Sequence, residues 1–211
     1  MKFMSLTLEE VLEEIRKAAD EIGIPHLELK IRMKLAGLSG QRNDLIRAKE
    51  TMWASRDPYD IILGESQVGQ VFAKIGNWQE ALKIAERIKN IAHKGHDEIC
   101  LTVVEVLVKK GQFEKARQIA EKIISQYTKS RANIVIALAT KDPNDFEKAR
   151  ESVLEIENPI FRAELQVIIA TKTKELKDIE RAWEMAREIE NPNDRAEFLI
   201  YIAELLKAKQ S

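Results

Sequence analysis

Several residue types are scarce in this chain, and each scarcity excludes a class of protein. The single cysteine, Cys100, excludes an internal disulfide and is typical of proteins from a reducing compartment. Aromatic residues make up only 6% of the chain, which argues against a β-sandwich. No stretch approaches the ~18 uninterrupted apolar residues of a membrane-spanning helix, and the first residues do not form a secretory signal. We therefore expect a cytoplasmic protein that has no membrane partner.

The chain also lacks an excess of charge of either sign, since 34 lysines and arginines stand against 35 aspartates and glutamates. General nucleic-acid binders carry a basic excess, because neutralising phosphate supplies most of their non-specific affinity. The net charge therefore disfavours a nucleic-acid partner. Charged residues of both signs together make up 33% of the chain, which resembles the surface ion-pair networks of thermostable proteins from hot environments.

The sequence does contain a repeat of about 33 residues, which is typical of stacked helix pairs. Four segments, beginning at Trp78, Phe113, Phe146 and Ile179, place a large apolar residue three positions before an alanine. Further small or apolar residues follow four and seven positions after that alanine, so each segment has one apolar helix face. The residues at the shared position, at steps of 33 or 35, are Ile15, Ala48, Ala81, Ala116, Ala149 and Ala182.

Two further series follow the same period. Small residues that each come after an apolar residue recur at Ala36, Gly69, Ala137, Ala170 and Ala203, with Val104 as the exception. Prolines fall ten residues after four of the shared positions, at Pro25, Pro58, Pro159 and Pro192, and Pro143 is placed to open another helix. Proline suits the first turn of a helix, where its missing N–H costs nothing. Asp57, Asn158 and Asn191 directly precede three of these prolines and are predicted to be N-caps.

These series predict an all-α fold, a right-handed α-α superhelix (solenoid) of about six repeats and about twelve helices. We expect one domain over residues 1–211, with an N-terminal capping helix in 1–25, tandem helix pairs in 26–192 and a C-terminal capping helix in 193–211. The predicted helices are 7–22, 26–37, 41–55, 59–75, 77–91, 96–110, 112–127, 129–140, 143–157, 159–172, 176–189 and 193–209.

The segment from Val68 to Ala81 resembles the tetratricopeptide repeat. In that family a small residue packs helix against helix, a glycine makes the turn, and an aromatic residue and an alanine begin the second helix. The matching residues here are Gly69, Phe72, Gly76, Trp78 and Ala81, and Gly111, Phe113 and Ala116 match one repeat later. The resemblance covers roughly residues 26–209. It implies a concave groove, lined by the first helix of each pair, that binds proteins or peptides.

Mapping the groove positions of that family onto this chain gives a set of candidate partner-binding residues. They are Ser66, Gln70, Glu98, Leu101, Glu105, Arg131, Ile134, Glu164, Val167, Thr171, Glu197, Ile200 and Glu204. The apolar members are flanked mostly by acids, which predicts a basic amphipathic helix or extended peptide as partner. The alternative is that Leu101, Ile134, Val167 and Ile200 are simply core between helices.

One cluster, formed by His93, His96, Asp97 and Cys100, has the residue types of a metal site. His96 and Cys100 are four apart and share a helix face, but a structural zinc site needs four well-placed ligands. The alternative is that both histidines cap a loop around Gly95 while Cys100 is a small core residue, and we expect no metal. The sequence shows no motif of catalysis or cofactor binding, so we expect neither enzymatic activity nor a cofactor.

The leading functional expectation is a protein-interaction scaffold or adaptor. An RNA-binding helical repeat, which would read bases with paired side chains, is the second. A structural protein that self-assembles through an uncapped terminal helix, as a homo-oligomer, is the third.

Overall fold

A computed structural model of the chain describes residues 6–54 and 58–210. Every regular element in these residues is an α-helix, which confirms the predicted all-α fold and its count of twelve helices. The helices are α1 Leu8–Asp20, α2 Pro25–Ser39, α3 Arg42–Ala54, α4 Pro58–Lys74, α5 Trp78–Ile88, α6 His93–Lys109, α7 Phe113–Ala120, α8 Gln126–Thr140, α9 Pro143–Leu154, α10 Pro159–Thr173, α11 Leu176–Arg187 and α12 Pro192–Gln210.

All five prolines begin a helix, as the sequence predicts, and they open α2, α4, α9, α10 and α12. The Asn158 side chain accepts hydrogen bonds from the N–H groups of Ile160 and Phe161. Asn191 does the same for Asn193 and Asp194. Both are therefore N-caps that satisfy N–H groups left without a partner inside the helix. The third predicted cap, Asp57, lies outside the described residues.

The largest difference from the predicted boundaries is in the connection after α7, because α7 ends at Ala120 instead of continuing to residue 127. The backbone N–H groups of Lys122 and Ile123 bond the carbonyls three residues back, which tightens the chain into a turn. The Ser125 hydroxyl then accepts the N–H of Thr128 at 3.4 Å. This cap starts α8 three residues earlier than predicted, at Gln126.

The helices group into two compact units, Met1–Val106 and Leu107–Ser211. Consecutive helices pair within each unit: α2 packs with α3 and α4 with α5 in the first, and α8 packs with α9 and α10 with α11 in the second. We call the first member of a pair an A helix and the second a B helix. By its place in the repeat, α1 is a B helix and α12 an A helix. The single solenoid domain and its handedness stay predictions.

The two small-residue series lie in the core. Ala48, Ala81, Ala116, Ala149 and Ala182 have no exposed surface. At Gly69 a Cβ atom would lie 2.8 Å from Ile99 Cγ1, so α4 and α6 approach closely where only glycine fits. Ala203 differs from the other members of its series, since it is exposed on α12.

A polar cluster recurs where successive B helices meet. Arg117 on α7 donates two hydrogen bonds to the Asp145 carboxylate on α9, at 2.9 and 2.7 Å. Arg150 on α9 donates two to Asp178 on α11, both at 2.8 Å. In each cluster the arginine and the aspartate are 28 residues apart, and two-pronged bonds of this kind are strong and geometrically specific. We call this arrangement the Arg–Asp joint.

A hydroxyl group completes each Arg–Asp joint from the end of the A helix between the two B helices. Thr140 donates to Asp145 and Thr173 to Asp178, both at 2.7 Å. The Arg117 hydrogen bonds lower the pKa of Asp145. Burial alone would raise the pKa of Asp178, but the bonds from Arg150 and Thr173 outweigh it and lower that pKa. Both carboxylates are thus held in the charged form.

Among the described residues of the first unit there is one such joint, between α1 and α3. Arg16 donates to both oxygens of Asp44 at 3.0 Å, again 28 residues apart, and Ser39 supplies the hydroxyl that bonds Asp44. The pKa of Asp44 is lowered, chiefly by Arg16.

The positions one repeat later, between α3 and α5, hold Lys49, Phe72 and Asn77 instead. Lys49 Nζ lies 5.7 Å from the centre of the Phe72 ring, a cation–π distance. Asn77 caps α5 by accepting the N–H of Glu80. All three side chains line a cavity of about 450 Å³.

Candidate interaction surface

The A helices of the first unit, α2 and α4, form a groove of about 560 Å³. Met33 and Val71 make a buried apolar floor, and Leu38, which is 65% exposed, lies at its edge. The complete lining is Lys30, Met33, Lys34, Gly37, Leu38, Gln67, Gln70, Val71 and Lys74. We call this surface the α2–α4 groove.

The charge of the α2–α4 groove comes from helical spacing. Lys30 and Lys34 are four residues apart and so lie on one face of α2. Gln67, Gln70 and Lys74, at steps of three and four, share a face of α4. All three lysines are exposed, and none of the lining residues that the structure describes is acidic. The groove therefore combines an apolar floor with a positively charged rim.

Of the residues predicted in the first unit, the structure brings only Gln70 into this groove. Ser66 is buried, and a Cβ atom on Gly95 of α6 would lie 2.9 Å from its hydroxyl, so Ser66 faces α6. Leu101 is also buried, whereas Glu98 and Glu105 are half-buried on α6.

The α2 side of the groove was not predicted from the sequence. Met33 and Gly37 lie 33 residues before Ser66 and Gln70, so extending the predicted rows back by one repeat would have identified them. The lysines carry no such signal. They belong to the ordinary polar face of α2, and only the gap between α2 and α4 gives them a shared role.

In the second unit two predicted residues gather around an aromatic pair. The Tyr127 and Phe161 rings lie 5.0 Å apart, and the Tyr127 hydroxyl donates to the Glu164 carboxylate at 3.3 Å. The Arg131 guanidinium lies 5.9 Å from the centre of the Tyr127 ring. Phe161 is 46% exposed. The result is a partly exposed aromatic surface bordered by one acid and one base.

Two other predicted residues, Val167 and Glu197, line a shallow pocket of about 240 Å³ with Phe198 and Tyr201. The hydroxyl of Thr171, also predicted, lies 3.5 Å from that of Tyr201. The aromatic members of these two clusters did not stand out in the sequence, because each occupies an ordinary position of an amphipathic helix.

The four apolar candidates have different environments. Leu101, Ile134 and Val167 are buried, whereas Ile200 on α12 is 61% exposed. Glu197 and Glu204 on the same helix are exposed as well. The apolar stripe predicted along the A helices is therefore open to solvent on α12 and covered at the other three positions.

The histidine cluster lies inside α6. His96 Nδ1 is 2.8 Å from Asp97 Oδ1, and His96 Nε2 is 3.7 Å from Cys100 Sγ. The expected loop around Gly95 is wrong, because α6 already begins at His93; Cys100 is a buried core residue, as that same alternative held. In residues 6–54 and 58–210 no group of three His, Cys, Asp or Glu side chains could hold a metal ion.

Among the described helices, none is long and apolar enough to cross a membrane. Comparison with protein-family models, curated proteins and solved structures gives no match for this chain. The resemblance to the tetratricopeptide repeat stays a prediction that rests on the residues quoted for it.

Proposed function

We propose that this protein is a non-catalytic scaffold that binds a partner protein through the exposed faces of its A helices. The observation that carries this proposal is the α2–α4 groove, where Met33 and Val71 offer apolar surface beneath three exposed lysines. A concave surface with an apolar floor and a charged rim is the usual seat of an amphipathic helix. Protein binding is also the function that the resemblance to the tetratricopeptide repeat implies.

The chemistry of the α2–α4 groove specifies a partner segment. One apolar stripe would cover Met33, Val71 and Leu38, while flanking carboxylates would pair with the lysines of the rim. Rim charges contribute chiefly to association rate and to the choice between partners. In the second unit, Glu164 and Glu197 border the exposed aromatic residues instead, and they would favour the basic partner predicted from sequence.

The test is fluorescence anisotropy with two labelled helical peptides that share one leucine stripe, flanked by glutamates in the first and by lysines in the second. We expect Lys34→Glu to weaken binding of the acidic peptide by ~10-fold. The matched control is Lys94→Glu, which changes an exposed lysine of α6 that does not line the groove, and it should leave the affinity unchanged. Equal losses in both variants would mean that general charge, and not the groove, binds the peptide.

An RNA-binding helical repeat is the second candidate, because three neighbouring lysines also suit phosphate. A single-stranded RNA oligonucleotide should be titrated in the same assay over a range of salt concentrations. Tighter binding of RNA than of either peptide, with affinity falling steeply as salt rises, would replace the scaffold proposal with the RNA one.

A further inference from the structure

The contact between α3 and α5, where the first unit has no Arg–Asp joint, has a cavity beside it. Its volume is about 450 Å³, which lies in the range of small-molecule sites, roughly 300–1,000 Å³. Phe72 at the end of α4 and Ile75 in the turn after it form an apolar wall. We call this space the α3–α5 cavity. Its size and its apolar wall are those of a ligand site.

One face of α3 forms another side of the α3–α5 cavity. Arg42, Leu45, Ile46 and Lys49 all line it, and their steps of three, one and three put them on one side of the helix. Leu45 is buried, whereas Ile46 is 41% exposed and so lies where the cavity opens to solvent. This face therefore places apolar surface between two cations.

The missing joint leaves the α3–α5 cavity with positive charge that no carboxylate balances. Lys49 keeps the cation at the place of the joint arginine, but Asn77, 28 residues later, is neutral where the joints have an aspartate. Among the residues that the structure describes, neither Arg42 nor Lys49 forms an ion pair. Glu80 also lines the cavity, but it already accepts a hydrogen bond from Lys83 at 3.1 Å. The described lining therefore attracts an anion.

Two polar groups of the α3–α5 cavity suit the oxygens of such an anion. Lys49 is half-buried and its Nζ lies 5.7 Å from the centre of the Phe72 ring, so the cation lies against the apolar wall. Partial exclusion of water strengthens its attraction for a negative charge. The side-chain oxygen of Asn77 accepts the N–H of Glu80, which leaves the amide NH₂ group as a donor. A charged head beside an apolar body is the chemistry that this lining fits.

We propose that the α3–α5 cavity binds a small monocarboxylate with an apolar chain. Its carboxylate supplies, next to Lys49 and the Asn77 amide, the negative charge that the aspartate supplies in the Arg–Asp joints. Its chain covers Leu45, Phe72 and Ile75, which a bare inorganic anion would leave in contact with water. The Arg–Asp joints contain a carboxylate of the chain itself, whereas this contact binds one from solution. The proposal is independent of the α2–α4 groove.

Isothermal titration calorimetry of the full chain tests this proposal with octanoate and with octanamide, which has the same chain and a neutral head. Octanoate should bind at least ~10-fold more tightly than octanamide, and Lys49→Gln should remove that preference. The matched control is Lys34→Gln, which changes an exposed lysine of the α2–α4 groove, the other apolar surface with a basic rim. It should bind octanoate like the wild type. Circular dichroism should show unchanged helicity in both variants.

A second variant supplies the carboxylate from the chain itself. Lys49→Arg should keep octanoate binding, whereas Lys49→Arg with Asn77→Asp should weaken it by at least ~10-fold, because the new aspartate takes up the cation and repels the ligand. Undiminished binding in the double variant would overturn the proposal. A wild-type chain that does not bind octanoate, or that binds octanamide as tightly, would overturn it as well. So would an equal loss in Lys34→Gln, which would assign octanoate to the α2–α4 groove.

Discussion

The two units hold successive B helices together in different ways. In the second unit, both contacts between successive B helices, α7 with α9 and α9 with α11, contain an Arg–Asp joint. In the first unit, the contact between α1 and α3 contains an Arg–Asp joint. The contact between α3 and α5 has a lysine, a phenylalanine and an asparagine at the same positions. Ala48 and Ala81, at the contact between α3 and α5, are nevertheless as fully buried as Ala149 and Ala182. The repeated apolar residues therefore suffice to pack successive B helices, and the Arg–Asp joint adds a polar contact where it is present.

The Arg–Asp joints also differ in how deeply their side chains are buried. Asp178 has no exposed surface and the Arg150 side chain is 5% exposed, whereas the Arg16 side chain in the first unit is 20% exposed. A charge that loses its partner is costly in proportion to how completely water is excluded from it. The most buried joint should thus be the most sensitive to the loss of one partner.

The largest effect that we expect is from Asp178→Ala, which leaves the buried Arg150 without its main acceptor. Removing one partner of a buried ion pair costs about 3–5 kcal/mol of unfolding free energy. Asp44→Ala is the matched variant in the first unit, and its cost should be smaller because water reaches Arg16. Urea unfolding followed by circular dichroism measures both. Equal costs would show that burial does not distinguish the two joints.

A smaller effect should come from a pair of glycine variants within the first unit. Gly69→Ala puts a methyl group against the fully buried Ile99, whose side chain would have to shift within the core, so we expect a loss of about 1–3 kcal/mol in unfolding free energy. Gly37→Ala on α2 is the control, since a Cβ atom at Gly37 would have no other atom within 4 Å.

The control should be neutral or should stabilise the protein by up to ~1 kcal/mol, because alanine favours the helix more than glycine does. Thermal unfolding of both variants supplies the comparison. A Gly69→Ala protein as stable as the control would show that α4 and α6 can separate at little cost. The repeated small residue would then not be required for packing.

The sequence predicted the elements that depend on local pattern. Each of these elements is a particular residue type that recurs at the repeat period. They are the prolines at helix starts, the Asn158 and Asn191 caps and the buried alanines. The Arg–Asp joint was missed because its partners are 28 residues apart on different helices, and amphipathic periodicity relates only neighbours on one helix. Its signal was nevertheless present, since Arg117 and Arg150 are themselves 33 residues apart.

The candidate surface was less predictable, because exposure depends on what packs against a helix. Val167 and Ile200 have equivalent places in the repeat, yet the first is buried in a cluster with residues of α11 and α12 while the second is open to solvent. The lysines of the α2–α4 groove likewise follow no repeat. Their role comes from the gap between two helices, which no single helix encodes.

The smallest expected effect comes from building the missing joint into the first unit. Lys49→Arg with Asn77→Asp restores two of the three joint residues, both of which already line one cavity. Phe72 still replaces the hydroxyl, and the site is only partly buried, so the coupling between the two substitutions should be about 0.5–1 kcal/mol. A double-mutant cycle measured by urea unfolding isolates this coupling from the effect of each substitution alone.

The pH dependence of that coupling distinguishes a new Arg–Asp joint from a better helix cap. Pairing with arginine would lower the pKa of the introduced carboxylate below its unfolded value, as Arg16 does for Asp44. A group whose pKa is lowered by folding stabilises the protein above its unfolded pKa, near 3.9 for aspartate, and loses that contribution as the pH falls towards the folded pKa. The coupling should therefore be complete at pH 7 and should shrink below about pH 4. A coupling that is absent at pH 7 would show that the α3 to α5 joint differs from the others in backbone geometry as well as in side chains.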